Sequence, residues 1–379
     1  MVATVLCLTL TAEAYAKEFL VYFGTYTNGL SQGIYVSRLD SKTGTLSDPV
    51  LAAETPSPCW VSISPDEKYL YAANSVNSFD GVKNGEVSAF SIDAKSGQLT
   101  LINAKPSGGV GPCYVSTDAS GRVLMAANYQ GGNVKSFLID ANGGIGADGT
   151  FSQHTGQGVN KNRQESPHAH YIAMDPNNKF ALVCDLGLDK VVVYALDTKS
   201  GALNLKSGLT PTTVPPGSGS RHLVFSRDGK YVHVINEMAC TITTLKWNKK
   251  DGSLDPVETV SVLPSNLPRK DNFTGAEILV HPSGKYVYAT VRGAGSDLVS
   301  VFAADSKTGK LTWLQSIGSG GEVPRGLGID PTGHWLITGH QKSHNAVEYA
   351  IDVKTGMLTP TGRELKLGAP VCVQFVKAE

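Results

Sequence analysis

A handful of positions in this chain carry side chains that take up protons or hold negative charge: His168-Ala-His170, Arg221 within Ser220-Arg-His222, Glu237 after Asn236, then Arg292, Arg325 and His340. Histidine and glutamate move protons near neutrality, whereas arginine stays cationic at any relevant pH. As a set they suit a step in which water gives up a proton and a developing negative charge is held in place. They lie between positions 168 and 340, so only a fold that returns repeatedly to one point can gather them.

A repeat supplies that return. One phrase occurs seven times: Asp40-Ser-Lys-Thr-Gly-Thr-Leu46, Asp93 to Leu99, the shortened Asp140-Ala-Asn-Gly-Gly-Ile145, Asp197 to Leu203, Asn248 to Leu254, Asp305 to Leu311 and Asp352 to Leu358. Its glycine is read at 44, 97, 144, 201, 252, 309 and 356, a period long enough to be one supersecondary unit. Each copy follows an alternating apolar run such as Val87-Ser-Ala-Phe-Ser-Ile92, which predicts a half-buried strand entering a hairpin. A second phrase, typified by Ser64-Pro-Asp-Glu-Lys-Tyr-Leu-Tyr-Ala-Ala-Asn74 and complete in six copies, is a tight polar turn leading into an apolar strand. The missing copy is split. Phe19-Leu-Val-Tyr-Phe-Gly24 supplies one strand from the N-terminus and Pro370-Val-Cys-Val-Gln-Phe375 the other from the C-terminus.

These units predict an all-β chain: a seven-bladed β-propeller of four-stranded antiparallel blades, with the closing blade shared by N- and C-terminal strands. WD40 blades are disfavoured because the Gly-His and Trp-Asp signatures are absent. Short uniform turns mark one face. The other carries the long, dissimilar loops 75–84, 150–166, 207–219 and 259–275, where binding chemistry usually sits. Aligning the units puts Cys59, Cys113, His170, Arg221, Ala276, Arg325 and Cys372 at the start of each inner strand. Asn74-Ser75, Asn128-Tyr129, Asp185-Leu186, Asn236-Glu237, Val291-Arg292, His340-Gln341 and Gly24-Thr25 fall at the ends of the next strands. Both rings open on one channel mouth, which makes that mouth the expected pocket.

Other signals are weaker. The three cysteines at one repeat position read as packing on a crowded axis. Two imidazoles are too few for a metal centre, and one of the His168/His170 pair orienting the other is the plainer reading. Asn74, Asn128, Asp185 and Asn236 are oxygen donors at equivalent positions, so Asn128, Asp185, Asn236 and Glu237 form an alternative Ca²⁺ set. Neighbouring Arg221 and Arg292 would repel such a cation, and no cofactor is expected. Arg163, Arg269 and Lys270, in long loops of the working face, could hold an anionic substrate group, but lone basic loop residues are usually solvated, and that is the plainer reading.

The 379 residues contain 33 Lys plus Arg against 33 Asp plus Glu, so no basic surplus points to nucleic acid or anionic lipid. With 41% hydrophobic residues, 41 Gly and 19 Pro and no G-X-Y period, the chain is turn-rich and globular. Residues 1–16, with the apolar run Val2 to Leu10 and the triplet Ala14-Tyr-Ala16, resemble an export signal that predicts a periplasmic or secreted protein. If they are only a frayed terminus, the protein is cytoplasmic. Residues 17–379 are then one domain, expected to act as a monomer without a membrane span.

Tyr22-Phe-Gly-Thr-Tyr-Thr27, Ser57-Pro-Cys-Trp60, Gly111-Pro-Cys-Tyr114, Ser166-Pro-His-Ala-His170, Ser220-Arg-His222, Asn236-Glu237 and Pro324-Arg-Gly326 resemble the seven-bladed propeller lactonases. That family includes the propeller-type 6-phosphogluconolactonases and the carboxy-cis,cis-muconate cyclases. The resemblance implies a metal-independent site made from one His, two Arg and one Glu. They fall on His170 (with His168 competing), Arg221, Glu237 and Arg292, all members of the rings above. It also implies a lactone or carboxylate as the small-molecule substrate. His168 beside His170, and Arg325 and His340 from the two rings, are further substrate-binding candidates. Hydrolysis is the expected reaction, with lactonising cyclisation and non-catalytic ligand binding as alternatives. Glu237 or His170 is the expected base, and Arg221 and Glu237 are expected to face hydrated space at the mouth.

Overall fold

A computed structural model describes residues 17–206, 212–293 and 295–379. The expected export segment 1–16 and part of the long loop 207–219 lie outside these residues. Seven antiparallel sheets form the molecule, each built from consecutive strands except the one that joins the termini. Blade one comprises Pro58–Ile63, Tyr69–Asn74, Glu86–Ile92 and Leu99–Pro106. Blades two to six begin with the inner strands Pro112–Thr117, Ala169–Met174, Ser220–Phe225, Thr274–Val280 and Pro324–Ile329. No α-helix occurs among the described residues, so none is long and apolar enough to cross a membrane.

The closing blade is composite, as the split repeat predicts. Its inner strand is Pro370–Lys377, followed outward by Glu18–Thr25 and Gly33–Asp40, with Thr45–Leu46 and Val50–Glu54 at the edge. Phe19 pairs with Lys377, and the ladder runs to Gly24 opposite Cys372. Hydrogen bonds between the two ends of the chain thus close the ring.

The recurring outer phrase has a conformational cause. Its first residue caps the turn, as when Asp93 Oδ1 accepts from the N–H groups of Lys95 and Ser96, both at 2.9 Å. Its glycine lies in the left-handed region, with φ of 79° at Gly97 and 76° at Gly356. Packing adds a second reason: a Cβ at Gly356 would sit 2.4 Å from the Tyr286 ring of the preceding blade. Tyr288 donates to the Gly356 carbonyl at 2.8 Å, Tyr22 to Gly97 at 2.9 Å and Tyr71 to Gly143 at 3.0 Å. In blade two the left-handed residue is Gly143, with φ of 81°, and not Gly144; the shortened turn moves the position back by one.

The apolar core lies between blades rather than within them. Leu182, Cys184 and Val193 of blade three pack against Val232, Val234 and Leu245 of blade four. Tyr288 and Val301 of blade five meet Leu336 and Tyr349 of blade six in the same way. Each sheet is therefore buried on both faces and held rigidly, which fixes the inner strand ends around the channel.

Candidate active site

The inner strands enter the channel through β-bulges. In blade one Pro58 pairs with Asn74 and Trp60 with Ala73, leaving Cys59 unopposed. The same skip leaves Cys113, His170, Arg221 and Arg325 as the extra residues of blades two, three, four and six. A bulged residue escapes the strict alternation of a strand and its side chain can be re-aimed. Here the re-aimed side chains stand around one mouth of the channel.

The closing blade departs from the predicted count by one residue. Thr25 pairs with Pro370 and Gly24 with Cys372, so Val371, not Cys372, is the bulged residue. Likewise Thr25 is buried, with its hydroxyl on the Gly33 carbonyl, and the next residue, Tyr26, faces the mouth. The split unit lacks the tight turn that anchors the count in the other six.

At this mouth lies a cavity of about 280 Å³, lined among others by Tyr26, Tyr129, Arg163, His170, Glu237 and Arg325. Glu237 is its electrostatic hub. One carboxylate oxygen accepts from Arg163 at 2.6 Å, and the other is 3.2 Å from Arg221 Nε and 3.0 Å from Arg292. Burial alone would raise the Glu237 carboxyl, but Arg292, Arg221 and Arg163 outweigh it and hold the group well below the usual carboxylate range. A carboxylate so strongly held is a poor proton acceptor.

Arg221 and Arg292 do not line the cavity. Arg221 is only 2% exposed and also donates to the Ala276 carbonyl at 2.5 Å; burial, with Arg325 and Arg292 nearby, pushes its guanidinium down to about 10. Arg292 donates to the Gly275 carbonyl at 3.0 Å. Both reach the cavity through Glu237. The expected hydrated setting is thus corrected for Arg221, which sits behind the cavity wall because it spans from its own inner strand to that of blade five; Glu237 lines the cavity but is only 6% exposed.

His170 has an enclosed, unpartnered Nδ1, which leaves Nε2 as the ring nitrogen turned to the cavity. Burial, then Arg221 and His222, hold its proton affinity well below the ordinary histidine value. The ring is neutral at pH 7. Arg325 lies over the Tyr26 ring at 5.7 Å and makes no ion pair among the described residues. It is the cavity cation whose charge is not already taken by Glu237.

His168 and His340 are placed elsewhere. His168 stacks on Tyr129, with ring centroids 4.5 Å apart, and its nitrogens engage the Tyr129 carbonyl and Glu165. It supports the cavity wall from behind. His340 is fully buried within blade six, its Nδ1 on the Asn345 carbonyl. Neither lines the cavity. The reason is periodic: beside a bulge, residues two apart need not share a face.

The alternative Ca²⁺ set is likewise dispersed into local ties. Asn128 donates to the Ser107 carbonyl and to Asn133, and Asn236 donates to Thr241 and Thr243. Asp185 accepts from the backbone N–H of His168 at 2.8 Å and pairs with His154 at 2.6 Å. Its carboxylate therefore sets where the strand carrying His170 begins. Among the described residues no three His, Cys, Asp or Glu side chains form a group able to hold a metal ion.

Three lining residues escaped the sequence reading as functional groups. Arg163 is not a freely solvated loop cation: it reaches 2.6 Å from Glu237 and 3.3 Å from the Tyr129 hydroxyl. Its signal was only the length of its loop on the working face. Tyr129 was visible as the residue after Asn128, and Tyr26 was hidden by the one-residue offset. Arg269 instead caps the Met238 carbonyl at 2.7 Å, and Lys270 lies over Phe273.

A family model described as "Lactonase, 7-bladed beta-propeller" matches residues 20–375. The 6-phosphogluconolactonase of Bacillus subtilis is 34% identical over 359 residues, covering 95% of this chain and 99% of that protein. That of Formosa agariphila is 30% identical, covering 94% and 99%. The solved periplasmic gluconolactonase of Pseudomonas aeruginosa superposes with a TM-score of 0.89 at 26% identity, over 96% of this chain and 100% of that one. With the family model spanning nearly every described residue, the chain belongs to the seven-bladed β-propeller lactonase family.

Proposed function

We propose that this protein hydrolyses a lactone bearing an anionic group, with His170 as general base and Arg325 as the cation that meets that group. One observation carries the reading: a neutral imidazole and a guanidinium without a carboxylate partner face the same cavity. Around and behind that cavity stand four guanidinium groups, Arg163, Arg221, Arg292 and Arg325, and one carboxylate, Glu237. Four cations less one anion leave a charge of +3 while the buried Glu277 below is protonated, and +2 once it ionises, which in either state favours an anionic ligand and a developing oxyanion.

The reaction balances on these groups. Nε2 of His170 takes a proton as water oxygen bonds to the lactone carbonyl carbon, and the negative charge passes to the carbonyl oxygen within the arginine field. When the ring C–O bond breaks, His170 returns the proton to the departing alkoxide, giving a hydroxy acid. His170 alone is a weak base here because burial and Arg221 depress it. An anion on Arg325 cancels part of that field, so binding the correct substrate strengthens the base. Hydrolysis rather than lactonisation is supported by the names of the relatives.

The test is the initial rate with glucono-δ-lactone and its 6-phosphate, at low and high salt, with and without EDTA. The expected result is a kcat/KM at least about tenfold higher for the phosphorylated lactone, falling with salt and indifferent to EDTA. Equal, salt-independent rates would remove the anionic-substrate reading, and turnover of neither compound would remove the hydrolase reading for aldonolactones. EDTA-sensitive turnover restored by Ca²⁺ would move the electrophilic role to the Asn128, Asp185, Asn236 and Glu237 set.

A further inference from the structure

Beneath the residues that line the cavity lies an aromatic layer formed by the residues just after the bulges, and Trp60, Tyr114 and Tyr171 of this layer line, with Glu277, a second cavity of about 280 Å³ on its far side. Trp60 stacks on Tyr114 at 4.3 Å, Tyr114 lies 4.4 Å from Tyr171, and both Trp60 and Tyr114 contact the His222 ring at 5.2 and 5.1 Å. His222 also meets His170 from below, with ring centroids 5.0 Å apart. Its Nδ1 is 3.0 Å from each oxygen of Glu277, while Nε2 is enclosed without a partner. Two successive ties therefore join the inner strands of blades four and five: Arg221 to the carbonyl of Ala276, then His222 to the side chain of Glu277.

We propose that Glu277, acting through His222, is a positioning residue that holds the His170 ring in place and sets how strongly it takes a proton. The fork to both carboxylate oxygens fixes the plane of the His222 imidazole, and with Glu277 ionised it keeps the ring proton on Nδ1. The His222 ring is then a fixed wall for His170, whose other aromatic neighbour is Tyr129 at 5.4 Å. Nothing in the chemistry at Nε2 of His170 requires a buried carboxyl group beside this layer, so Glu277 needs another explanation.

Glu277 is only 3% exposed, and its backbone N–H is held by Thr290 at 2.9 Å. Burial pushes its carboxyl up to about 7, against the pull of Arg221, Arg325 and Arg292. Among other titratable groups around the dyad, Glu237 and His170 lie on the cavity side, and Tyr114, Tyr171 and Cys372 complete the layer. The phenols and thiol are raised by burial and stay neutral. Below about pH 7 the dyad is uncharged; above it, a negative charge appears beneath His170 and opposes the field of the arginines. His170 becomes the stronger base on the alkaline side.

The assignment rests on His170 being the base, and its test separates the two readings. Nitrogen-15 spectra of the histidine rings in the full chain would be followed from pH 5 to 9, alongside kcat and KM, for the native protein, Glu277→Gln and Glu277→Asp. The native His170 and His222 resonances should shift together near pH 7 without His170 gaining a proton, and Glu277→Gln should abolish that step. Glu277→Gln should lower kcat about tenfold on the alkaline side with KM little changed, and Glu277→Asp should restore part of it. An unchanged ring titration and an unchanged pH profile in Glu277→Gln would overturn the proposal. If Glu277→Gln fails to fold, His222→Gln serves in its place: a native His170 titration in that variant would overturn the proposal, and a lost step would support it. The ring spectra do not depend on lactone turnover, so an inactive protein showing the expected step refutes the proposed function while leaving the dyad standing.

Discussion

Replacing Glu237 with Gln keeps the shape of the site and removes its charge, which makes it the sharpest probe of the arginine cluster. Native Glu237 is 6% exposed and neutralises parts of three guanidinium groups at 2.6 to 3.2 Å. Arg221 and Arg292 have no other acid partner among the described residues, so Glu237→Gln leaves two enclosed cations uncompensated. Removing one member of a buried pair costs about 3–5 kcal/mol, and that range is expected from urea unfolding at constant m-value. Arg163 touches the same carboxylate but its side chain is 40% exposed, so Arg163→Ala should cost no more than about 1 kcal/mol. In catalysis, Glu237→Gln should lower kcat about 100-fold, since the arginine cluster whose field acts on the oxyanion loses its anchor, while KM for an anionic lactone stays level or falls. A Glu237→Gln protein with native stability and native kcat would refute the reading of Glu237 as the hub. A loss of stability in Arg163→Ala equal to that of Glu237→Gln would refute the argument from burial.

Arg325→Met should raise KM for an anionic lactone about tenfold or more and leave a neutral lactone nearly unaffected, a split that steady-state kinetics reads directly. His170→Asn should lower kcat by about 100-fold or more with an almost unchanged unfolding midpoint, because the lost group is a proton acceptor with an unpartnered nitrogen. Glu277 has a carboxyl raised from 4.5 to about 7, so between those values the native state holds the proton that the unfolded chain releases. Its contribution to stability is complete below about pH 4.5 and is lost as pH rises through about 7; denaturant melts should show that decline in the native protein and not in Glu277→Gln. Gly356→Ala should destabilise the protein by more than about 1 kcal/mol, because the left-handed backbone and the Tyr286 ring at 2.4 Å both oppose a Cβ.

The fold was legible because its cause is local and repeated. A turn that needs an Asx cap and a left-handed glycine writes the same residues seven times, and the termini show which strands they lend to the last blade. The cavity was legible in part for the same reason: wherever a tight turn anchors the count, the bulged residues Cys59, Cys113, His170, Arg221 and Arg325 fall at one repeat position. Where the turn is missing, the count slipped by one, and Tyr26 was missed. Arg163 was beyond reach for another reason. It belongs to a loop with no repeat partner, and only its approach to Glu237 gives it meaning.

The limit of a repeat alignment lies in direction rather than position. Asn236 and Glu237 are neighbours at the end of one strand, yet Asn236 turns to Thr241 and Thr243 of its own blade while Glu237 gathers three arginines. The same division separates Asn128 from Tyr129 and Thr25 from Tyr26. Because successive side chains on a strand point to opposite faces, an error of one residue exchanges a structural tie for a cavity wall. Asn128, Asp185 and Asn236 share a register, yet Asn236 is tied within its own blade, whereas Asn128 and Asp185 are tied to Ser107 and His154 in the connections that follow the preceding blades. The bulges complete the logic on the other ring, freeing one residue per inner strand from alternation so that the next can build the aromatic layer. The channel thus has two layers, a charged mouth at the bulges and an aromatic layer one residue below, and His222 with Glu277 lies where that layer meets His170.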